Sequence, residues 1–394
     1  MYEIGEEEVQ AVARVIRSTQ LFRYPAGARS ECHLFESELA ARLGCEYALA
    51  VNSGTSALIC ALVACDIGTG DEVIVPAFTF MATALAVLAV GAVPVVAEID
   101  ESLTLDPQAL EARISSRTKA IIAVHMLGLP CDMESIVAVA SRHGLRVLED
   151  ACQAVGASYK GRPAGTIGDA GALSFNQFKI ISAGEGGAMV TRGRELYDKA
   201  VIQHDDGAAF RQHASQMSVP IFTGGNYRIS EITGAILRVQ LSRLDGILKR
   251  LRERKRAFVE SMGDSAGLAL APVRCADGEC GMHAVIQLES QERMRRILPA
   301  LRRHGIAAAT PSDSPGHVYT GWKPIVDLRA GHHSGRNPFH QTGVHYDYSK
   351  ACCPVALDVL ARTIVVPIDM NDTLEAVRNK AKQVRRIAGS INSH

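Results

Sequence analysis

The sequence has no surplus of charge of either sign and no long apolar run. Its 394 residues include 42 Lys plus Arg and 42 Asp plus Glu. A balanced charge gives no electrostatic reason to expect nucleic acid or an anionic membrane as a partner. The longest apolar stretch, residues 82–97, is interrupted by Thr83, Gly91 and Pro94, so it is too short and too broken to span a bilayer. Aromatic residues make up only 5%, which argues against an aromatic-rich β-sandwich.

The ten cysteines include no C-x-x-C motif, which excludes a zinc knuckle and a thioredoxin-like site. Cys60, Cys65 and Cys152 lie in apolar or small-residue segments that are typical of buried free thiols. The adjacent Cys352 and Cys353 make a poor disulfide framework. The acidic N-terminus has none of the features of a signal peptide. Together these features predict free thiols in a reducing cytoplasm.

Hydrophobic residues make up 47% of the chain, which is enough to bury a large core. Apolar strand-like segments alternate with helical ones over residues 45–200, and this alternation predicts a parallel doubly wound sheet. An Arg-rich helical pattern covers residues 228–262. The length corresponds to two or three domains. We predict a large domain over 1–250 and a smaller one over 251–394, with the Arg-rich helix joining them.

Two nucleotide motifs are missing, because neither G-x-G-x-x-G after the first strand nor G-x-x-x-x-G-K-S/T occurs. A different pattern is present in the small-residue turn at 52–57, NSGTSA, which lies between a predicted strand and a predicted helix. Backbone amides at such a helix start suit a phosphate, although a plain N-cap turn is the alternative. Asp150 ends a predicted strand, where a carboxylate either meets a bound ring nitrogen or caps the next helix.

Lys179 differs from the other lysines in its surroundings. The chain has only ten lysines, and most of the others lie in charged or loop segments, whereas Lys179 lies between Phe178 and Ile180. Desolvation lowers the pKa of an ammonium group and frees the amine as a nucleophile, so this lysine is a candidate nucleophile or a lysine with its amine at the surface. Phe80 follows a predicted strand end, where its ring either stacks on a bound ring or packs in the core.

Five ordered blocks of sequence resemble the DegT/DnrJ/EryC1/StrS sugar aminotransferases, which are pyridoxal-phosphate enzymes of the aspartate-aminotransferase fold. The blocks are NSGTSAL, DEVIVPAFTFMATALAVL, VHMLGLPCDM, the stretch from EDACQAVG to EGGAMVT, and GGNYRISEITGAI. The resemblance is close over about residues 30–260. It implies an α/β protein of fold type I, with a large domain built on a mainly parallel doubly wound sheet and a smaller C-terminal α+β domain.

The same resemblance implies roles for individual residues. Lys179 matches the family's catalytic Schiff-base lysine, Asp150 matches the carboxylate at the pyridine nitrogen, and Gln153 lies near the cofactor's 3-hydroxyl. The other implied contacts to pyridoxal phosphate are the phosphate ligands Gly54, Thr55 and Ser174, the ring-stacking Phe80, and Asn226 from the neighbouring subunit. The last of these implies a homodimer with shared active sites. No metal is implied.

The activity implied is transamination in two half-reactions. Glutamate or glutamine gives the amino group, and a keto or aldehyde sugar or sugar acid, with or without a nucleotide, receives it. A dehydratase branch of the family has His in place of the lysine, so Lys179 favours transamination. Two alternatives remain: a pyridoxal-phosphate dehydratase or lyase on the same fold, and a regulatory protein that binds the cofactor without catalysis.

The C-terminal region is less similar to the family. HVYTGWKP, NPF and CPVALDVLART resemble more weakly the 8-amino-3,8-dideoxy-octulosonate transaminases, which implies that Arg336 or Arg228 binds a substrate carboxylate. The spacing of His332, His333, His340 and His345 fits no metal motif. It predicts a polar substrate-facing loop or a simple surface loop. The roles of Glu185 and of His125, either a core histidine or a helper at the cofactor, stay open.

Overall fold

The structure is a computed structural model. It describes residues 3–25, 30–208, 211–263, 267–331, 335, 337–341 and 343–391. The helices are α1 (Glu6–Ser18), α2 (Glu31–Leu43), α3 (Gly54–Ala64), α4 (Ala82–Ala89), α5 (Met133–His143), α6 (Arg194–His204), α7 (Glu231–Met262), α8 (Gln291–Arg303), α9 (Lys323–Val326), α10 (Pro338–Gln341), α11 (Pro354–Ala361) and α12 (Leu374–Ile391). The strands are β1 (Tyr47–Val51), β2 (Glu72–Pro76), β3 (Val93–Ala97), β4 (Thr118–Val124), β5 (Arg146–Asp150), β6 (Ser158–Tyr159), β7 (Arg162–Pro163), β8 (Ala170–Ser174), β9 (Gly187–Thr191), β10 (Leu268–Leu270), β11 (His283–Leu288) and β12 (Thr363–Pro367).

The main sheet has seven strands in the order β1-β9-β8-β5-β4-β2-β3. The pairs β2–β3, β2–β4, β4–β5 and β5–β8 are parallel, and β9 runs antiparallel to both β1 and β8. The sheet is therefore mainly parallel, as the alternating pattern predicted. Its strands are nearly continuous apolar runs because helices cover both faces, so side chains on either face are buried.

Local sequence signals set the ends of the helices that flank the sheet. The side chains of Ser53, Asp132 and Ser230 each accept a hydrogen bond from a backbone amide in the first turn of α3, α5 and α7. Gly44 and Gly144 end α2 and α5 in the left-handed conformation, which glycine adopts without a steric penalty. These caps fix where each helix begins or ends, and the Ser53 cap fixes the turn from β1 into α3 at the edge of the sheet.

A second sheet lies in the C-terminal part of the chain. Strands β10, β11 and β12 form an antiparallel sheet in the order β10-β11-β12. Residues from this sheet, α8, α12 and the end of α7 form one hydrophobic core, which includes Phe258, Ile286, Leu301 and Val366. This part is α+β, as the family resemblance implied.

The 32-residue helix α7 connects the two parts. Its first half packs against α1 and α2, and it also packs against α12 of the C-terminal part. The predicted boundary at residue 250 therefore lies inside α7. This is the Arg-rich helix that the sequence predicted would join the two domains.

Neither a spanning helix nor a disulfide occurs in the described residues. No described helix combines the length and the apolar composition that crossing a membrane requires. All ten cysteines are free, and seven of them are buried, which confirms the prediction of free thiols.

Candidate active site

The carboxyl ends of four parallel strands meet at one edge of the main sheet. Val51 ends β1, Pro76 ends β2, Asp150 ends β5 and Ser174 ends β8. In open α/β sheets ligands bind outside the carboxyl ends of the strands. This edge therefore brings together the small-residue turn, the strand-terminal carboxylate and the loop that carries Lys179.

The carboxylate of Asp150 is buried and held through both of its oxygens. Thr83, in the first turn of α4, donates a 2.7 Å hydrogen bond from Oγ1 to Oδ2 of Asp150. The amide of Cys152 donates to Oδ1 at 3.1 Å. Thr83 also shares a 2.7 Å hydrogen bond with the Thr79 hydroxyl. These two bonds fix the orientation of Asp150. The bond from Cys152 comes from two residues along the chain, whereas the bond from Thr83 comes from α4.

Gly54 lies at the bottom of a tight cradle. A Cβ atom added at Gly54 would lie 2.7 Å from the Cys152 Sγ and 2.8 Å from the Ser174 Cβ, so no larger residue fits without movement. The first amides of α3 begin here and have no partner within the helix. Within the described ranges, the hydroxyls of Thr55 and Ser174 donate no hydrogen bond. Free amides and free hydroxyls around a glycine suit an anionic group such as a phosphate.

Lys179 opens onto a cavity of about 450 Å³. The loop after β8 is held by backbone bonds between Gln177 and Gly184 and between Phe175 and Gly186. Lys179 is half-buried, and among the described residues it has no ion-pair partner. The cavity is lined by Phe80, Leu127, Cys152, Gln153, Val155, Asn176, Phe178, Lys179, Ile180, Met282, His283 and His317. The side chain is therefore a cavity-facing lysine.

Phe80, Gln153 and His317 form one wall of this cavity. Phe80 is 48% exposed, whereas the neighbouring Phe78 is 2% exposed, so Phe78 packs in the core and Phe80 does not. The Phe80 and His317 rings lie 5.2 Å apart. Gln153 Nε2 lies 3.3 Å from His317 Nε2, and Gln153 Oε1 accepts a hydrogen bond from the Leu127 amide at 3.3 Å. The wall is an aromatic face with an amide beside it.

Electrostatics at the cavity follow from burial and from Lys179. Burial, and then the positive charge of Lys179, lower the pKa of His317. Burial, and then the Asp150 carboxylate, raise the pKa of Cys152 well above its usual value, although Lys179 acts in the opposite direction. The imidazole and the thiol in the cavity are therefore both neutral near pH 7. Lys179 and Asp150 supply the local charges.

These residues fit pyridoxal phosphate, the cofactor that the sequence resemblance implies. The cradle at Gly54 leaves its amides and hydroxyls open to a phosphate because no Cβ fills it. The buried Asp150 carboxylate suits a protonated ring nitrogen. The exposed Phe80 and the amide of Gln153 line the cavity and suit an aromatic ring that carries a hydroxyl. Lys179 faces the same cavity.

Asn226 and Arg228 are predicted site residues that do not line this cavity. Asn226 is exposed. Its loop contacts the small-residue turn at 52–57, because the Asn52 amide donates to the Tyr227 carbonyl at 2.8 Å. The Arg228 guanidinium donates to Asp205 and, at 2.6 Å, to Asp206. Arg228 is thus already paired with two carboxylates of its own chain. Arg336, His332 and His333 lie outside the described residues.

His125 is a core histidine. It is fully buried, its Nε2 lies 2.9 Å from Glu149 Oε2, and its Nδ1 accepts from the Cys131 amide at 3.1 Å. Glu149 also accepts from the amides of Gly165 and Gly168 at 2.9 and 2.7 Å. Although burial opposes ionisation, these hydrogen bonds hold the pKa of Glu149 below its usual value. The pair fastens β4 and β5 to the segment before β8.

Two residues of the candidate site, Thr83 and His317, were not predicted from the sequence. Thr83 ends the block DEVIVPAFTFMAT and follows Thr79 by four residues. Two threonines at helical spacing beside an apolar segment were the signal that could have identified Thr83. His317 begins HVYTGWKP.

Glu185 is exposed. Among the described residues, no group of three or more His, Cys, Asp or Glu side chains could hold a metal ion.

Comparisons with known proteins agree with this arrangement. The model of the DegT/DnrJ/EryC1/StrS aminotransferase family matches residues 2–323. Spore coat polysaccharide biosynthesis protein SpsC of Bacillus subtilis (strain 168) is 35% identical over 96% of this chain and 95% of its own length. The UDP-N-acetyl-3-dehydro-alpha-D-glucosamine 3-aminotransferase of Acidithiobacillus ferrooxidans is 35% identical over 89% of this chain and 87% of its own.

A solved structure resembles the whole chain. The crystal structure of DesV from S. venezuelae, in complex with a ketimine intermediate, superposes with a TM-score of 0.78 at 30% identity and covers 98% of this chain and 95% of that one. The structure contains the fold and the candidate cofactor site of such enzymes. The chain therefore belongs to the DegT/DnrJ/EryC1/StrS aminotransferase family and is a pyridoxal-phosphate-dependent transaminase of fold type I.

Proposed function

We propose that this chain transfers an amino group from glutamate or glutamine to the carbonyl carbon of a keto sugar linked to a nucleotide. One observation carries the proposal: Lys179, the Asp150 carboxylate and the Gly54 cradle lie at one edge of the sheet. Cys152 links them, because it lines the cavity of Lys179, borders the Gly54 cradle and donates its amide to Asp150. The relative from Acidithiobacillus ferrooxidans acts, by its name, on a UDP-linked dehydro sugar. That name supports a nucleotide-linked acceptor for this chain.

Lys179 is the catalytic residue of the proposal. Its Nζ would hold pyridoxal phosphate when the cofactor is bound, and it would become free again once the amino donor is bound. The free Nζ then takes the proton from the donor's Cα and later returns a proton to the acceptor carbon. When bound, pyridoxal phosphate supplies a ring that accepts the electron pair left at Cα. Among the described residues Lys179 has no ion-pair partner, which leaves its amine available for both transfers.

The remaining residues hold the cofactor. Asp150, oriented by Thr83, keeps the ring nitrogen protonated. Gly54, Thr55 and Ser174 bind the phosphate through the first amides of α3 and through the Thr55 and Ser174 hydroxyls, which donate no hydrogen bond within the described part of the chain. Phe80 stacks on the ring, and Gln153 donates from its amide to the ring hydroxyl. Each of these roles comes from the family resemblance and agrees with the contacts described above.

Spectroscopy tests the cofactor chemistry. Pyridoxal phosphate added to the cofactor-free protein is expected to give a visible band that Lys179→Ala abolishes and that Lys179→Arg, the control for charge, also lacks. Glutamate or glutamine is expected to bleach the band as the amino form of the cofactor accumulates. Release of ammonia or water without transfer would favour the dehydratase or lyase. A protein that binds the cofactor and never bleaches would be the non-catalytic alternative.

An acceptor panel tests the substrate. Keto sugars linked to UDP, dTDP and GDP, the same sugars without a nucleotide, and keto-octonic acids are offered to the amino form of the enzyme. Faster return of the visible band with a nucleotide-linked sugar supports the proposal. A preference for the keto-octonic acid would reject it and favour the octulosonate branch. In that case Arg336→Ala should raise the KM for the acid, with Arg228→Ala as the matched second candidate.

We also propose a homodimer in which Asn226 completes the partner's phosphate site. Lys179→Ala and Asn226→Ala subunits, each weakly active alone, are mixed after partial unfolding. Shared sites predict recovery of about a quarter of wild-type activity, because half of the random pairs are hybrids with one intact site. No recovery would mean that Asn226 serves its own chain.

A cytoplasmic location is proposed from the ten free thiols, and cell fractionation tests it.

A further inference from the structure

Cys352 and Cys353 form a dithiol that the transaminase chemistry does not use. Their sulfur atoms lie 3.8 Å apart, directly before α11. Cys353 is buried, whereas Cys352 is partly exposed. Arg113 donates to the Cys352 carbonyl, and its Nη2 lies 3.7 Å from the Cys353 sulfur. Two thiols in contact beside a guanidinium form a different environment from the isolated buried cysteines elsewhere in the described chain.

The two thiols differ in reactivity. The hydrogen bond from Cys353, and then the positive charge of Arg113, lower the pKa of Cys352 to about 7, against burial and the carboxylates of Asp347 and Glu98. The hydrogen bond to Cys352 and burial raise the pKa of Cys353. Cys352 is therefore the nucleophile of the pair, and Cys353 is a protonated thiol next to it. An accessible thiolate beside a second thiol is the usual arrangement of an oxidation-sensitive cysteine.

We propose that Cys352 and Cys353 are a reversible oxidation site, which peroxide converts to an intrachain disulfide that slows transamination. The Cys352 thiolate attacks one peroxide oxygen, the O–O bond breaks, and Cys352 becomes a sulfenic acid. The hydroxide that leaves takes from solvent the proton that Cys352 lost on ionisation, and becomes water. The Cys353 sulfur then attacks the Cys352 sulfur, the S–O bond breaks, and a second water leaves with the Cys353 proton. Two thiols are oxidised, and one hydrogen peroxide is reduced to two waters.

The geometry of adjacent cysteines makes the disulfide easy to reverse. Consecutive Cα atoms lie about 3.8 Å apart across a trans peptide. Ordinary disulfides join Cα atoms about 4.4–6.8 Å apart, and departures from that range store strain that makes the bond more reducible. A thiol reductant such as glutathione is therefore expected to restore both cysteines.

A short chain of contacts connects the dithiol to the cavity. The Cys353 amide donates to the Tyr319 hydroxyl at 3.2 Å, and the Tyr319 amide donates to the Ala77 carbonyl at 3.0 Å. On the same segment, the His317 carbonyl accepts from the Thr79 amide at 3.0 Å. Pulling the two sulfurs into a bond changes the backbone at Cys353 and so disturbs the segment that carries His317 and packs against Phe80.

The experiment treats the cofactor-loaded enzyme with hydrogen peroxide and measures two things. Mass spectrometry of the digested protein is expected to show that the mass of the peptide containing both cysteines has fallen by two hydrogen atoms. The rate of bleaching by glutamate, relative to untreated enzyme, is expected to fall by about fivefold or more, and dithiothreitol should reverse both changes. Because this rate rests on the proposed function, the untreated enzyme tests that function first, whereas the peptide mass is independent of it.

Three variants make the outcome decisive. Cys353→Ser should prevent the disulfide and leave Cys352 open to further oxidation. The double variant Cys352→Ser/Cys353→Ser should keep its rate in peroxide. Cys275→Ser, which removes another partly exposed thiol, should behave as wild type. The proposal is overturned if no disulfide peptide forms, if it forms without a change in rate, or if the double variant loses activity equally.

Discussion

The Thr83 hydroxyl donates a 2.7 Å hydrogen bond to Oδ2 of Asp150 across 67 residues of sequence. Asp150 ends β5, and Thr83 lies in the first turn of α4. The hydroxyl of Thr79, which precedes α4, is hydrogen-bonded to that of Thr83. The two hydroxyls therefore form a line that ends at the carboxylate, at the start of an otherwise apolar helix. Together with the bond from the Cys152 amide to Oδ1, this relationship fixes the orientation of the Asp150 carboxylate.

Loss of the Thr83 hydroxyl is expected to weaken cofactor binding. A hydrogen bond to a charged group contributes about 1.5–3 kcal/mol, so Thr83→Val, which keeps the shape, should raise the Kd for pyridoxal phosphate about 10- to 100-fold. Thr83→Ser keeps the hydroxyl and should stay within a few-fold of wild type. The Kd is measured from the visible band. Equal affinities of the Val and Ser variants would show that Asp150 does not depend on Thr83.

A methyl group at Gly54 is expected to damage the phosphate site. The added Cβ would approach the Cys152 Sγ to 2.7 Å and the Ser174 Cβ to 2.8 Å, and overpacking of this kind costs about 1–3 kcal/mol. Gly54→Ala should therefore weaken pyridoxal phosphate binding much more than pyridoxal binding, because pyridoxal has no phosphate.

A matched glycine controls for the helix. Gly246→Ala also adds a methyl group to a helical glycine, but its nearest neighbour would be Arg250 Nη1 at 3.6 Å, so cofactor affinity should not change. Equal losses of pyridoxal and pyridoxal phosphate binding in Gly54→Ala would contradict a specific role at the phosphate.

Much of the fold and part of the site were predictable because their signals are local. The strands are continuous apolar runs that end at turn residues, so the parallel sheet could be derived from the order of segments alone. Once the sheet is parallel, Asp150 and the turn around Gly54 must lie at the same edge. The resemblance blocks supplied Lys179, Gln153 and Ser174, which lie at the ends or just after these strands.

The rest depends on contacts between distant segments, which a sequence pattern does not contain. In the sequence Thr83 is one polar residue in an apolar helix. Only the folded structure shows that it lies next to Asp150 at the end of β5. His317 reaches the cavity because residues 316–319 pair with residues 77–81. Arg228 looked available for a substrate, but Asp205 and Asp206, at the end of α6, occupy its guanidinium. Ion pairs of this kind decide whether an arginine can bind a substrate, and the local sequence does not show them.

His317 is expected to limit activity at low pH. Its Nε2 faces the Gln153 amide, its Nδ1 lies 2.7 Å from the Ser314 hydroxyl, and Lys179 and Phe80 face its ring. Because burial and Lys179 lower its pKa, His317 is neutral above pH 6.5. Protonation at lower pH would break the bond from Gln153 and repel Lys179.

A variant separates this effect from general acid inactivation. His317→Gln should lower kcat/KM about 2- to 10-fold near pH 7.5, the effect of one lost neutral hydrogen bond. It should also flatten the acid side of the pH–rate profile relative to wild type. His340→Gln, which changes an exposed histidine, should leave the profile unchanged. An acid limb of the same steepness in His317→Gln would assign it to another group.

Stability is expected to fall as the pH drops below 6.5, because two histidines stay neutral in the fold. Burial, and then the charge of Arg23, lower the pKa of His204 to about 3. Its Nδ1 donates to the Val201 carbonyl at 2.7 Å, and its buried Nε2 has no partner among the described residues. Burial lowers the pKa of His283 to about 4. The unfolded chain, in which histidine has a pKa of about 6.5, therefore binds more protons than the folded one between these values.

The stabilisation is fully present above pH 6.5 and is lost as the pH falls toward the lowered values. Each such histidine contributes up to about 1.4 kcal/mol of unfolding free energy per pH unit inside its window. Urea unfolding between pH 6.5 and 5.0 avoids most carboxylate titration. His204→Gln should reduce the slope of stability against pH by about the share of one histidine, whereas His340→Gln should not, because His340 is exposed. An unchanged slope in His204→Gln would mean that His204 gains its proton in the folded state as readily as in the unfolded chain.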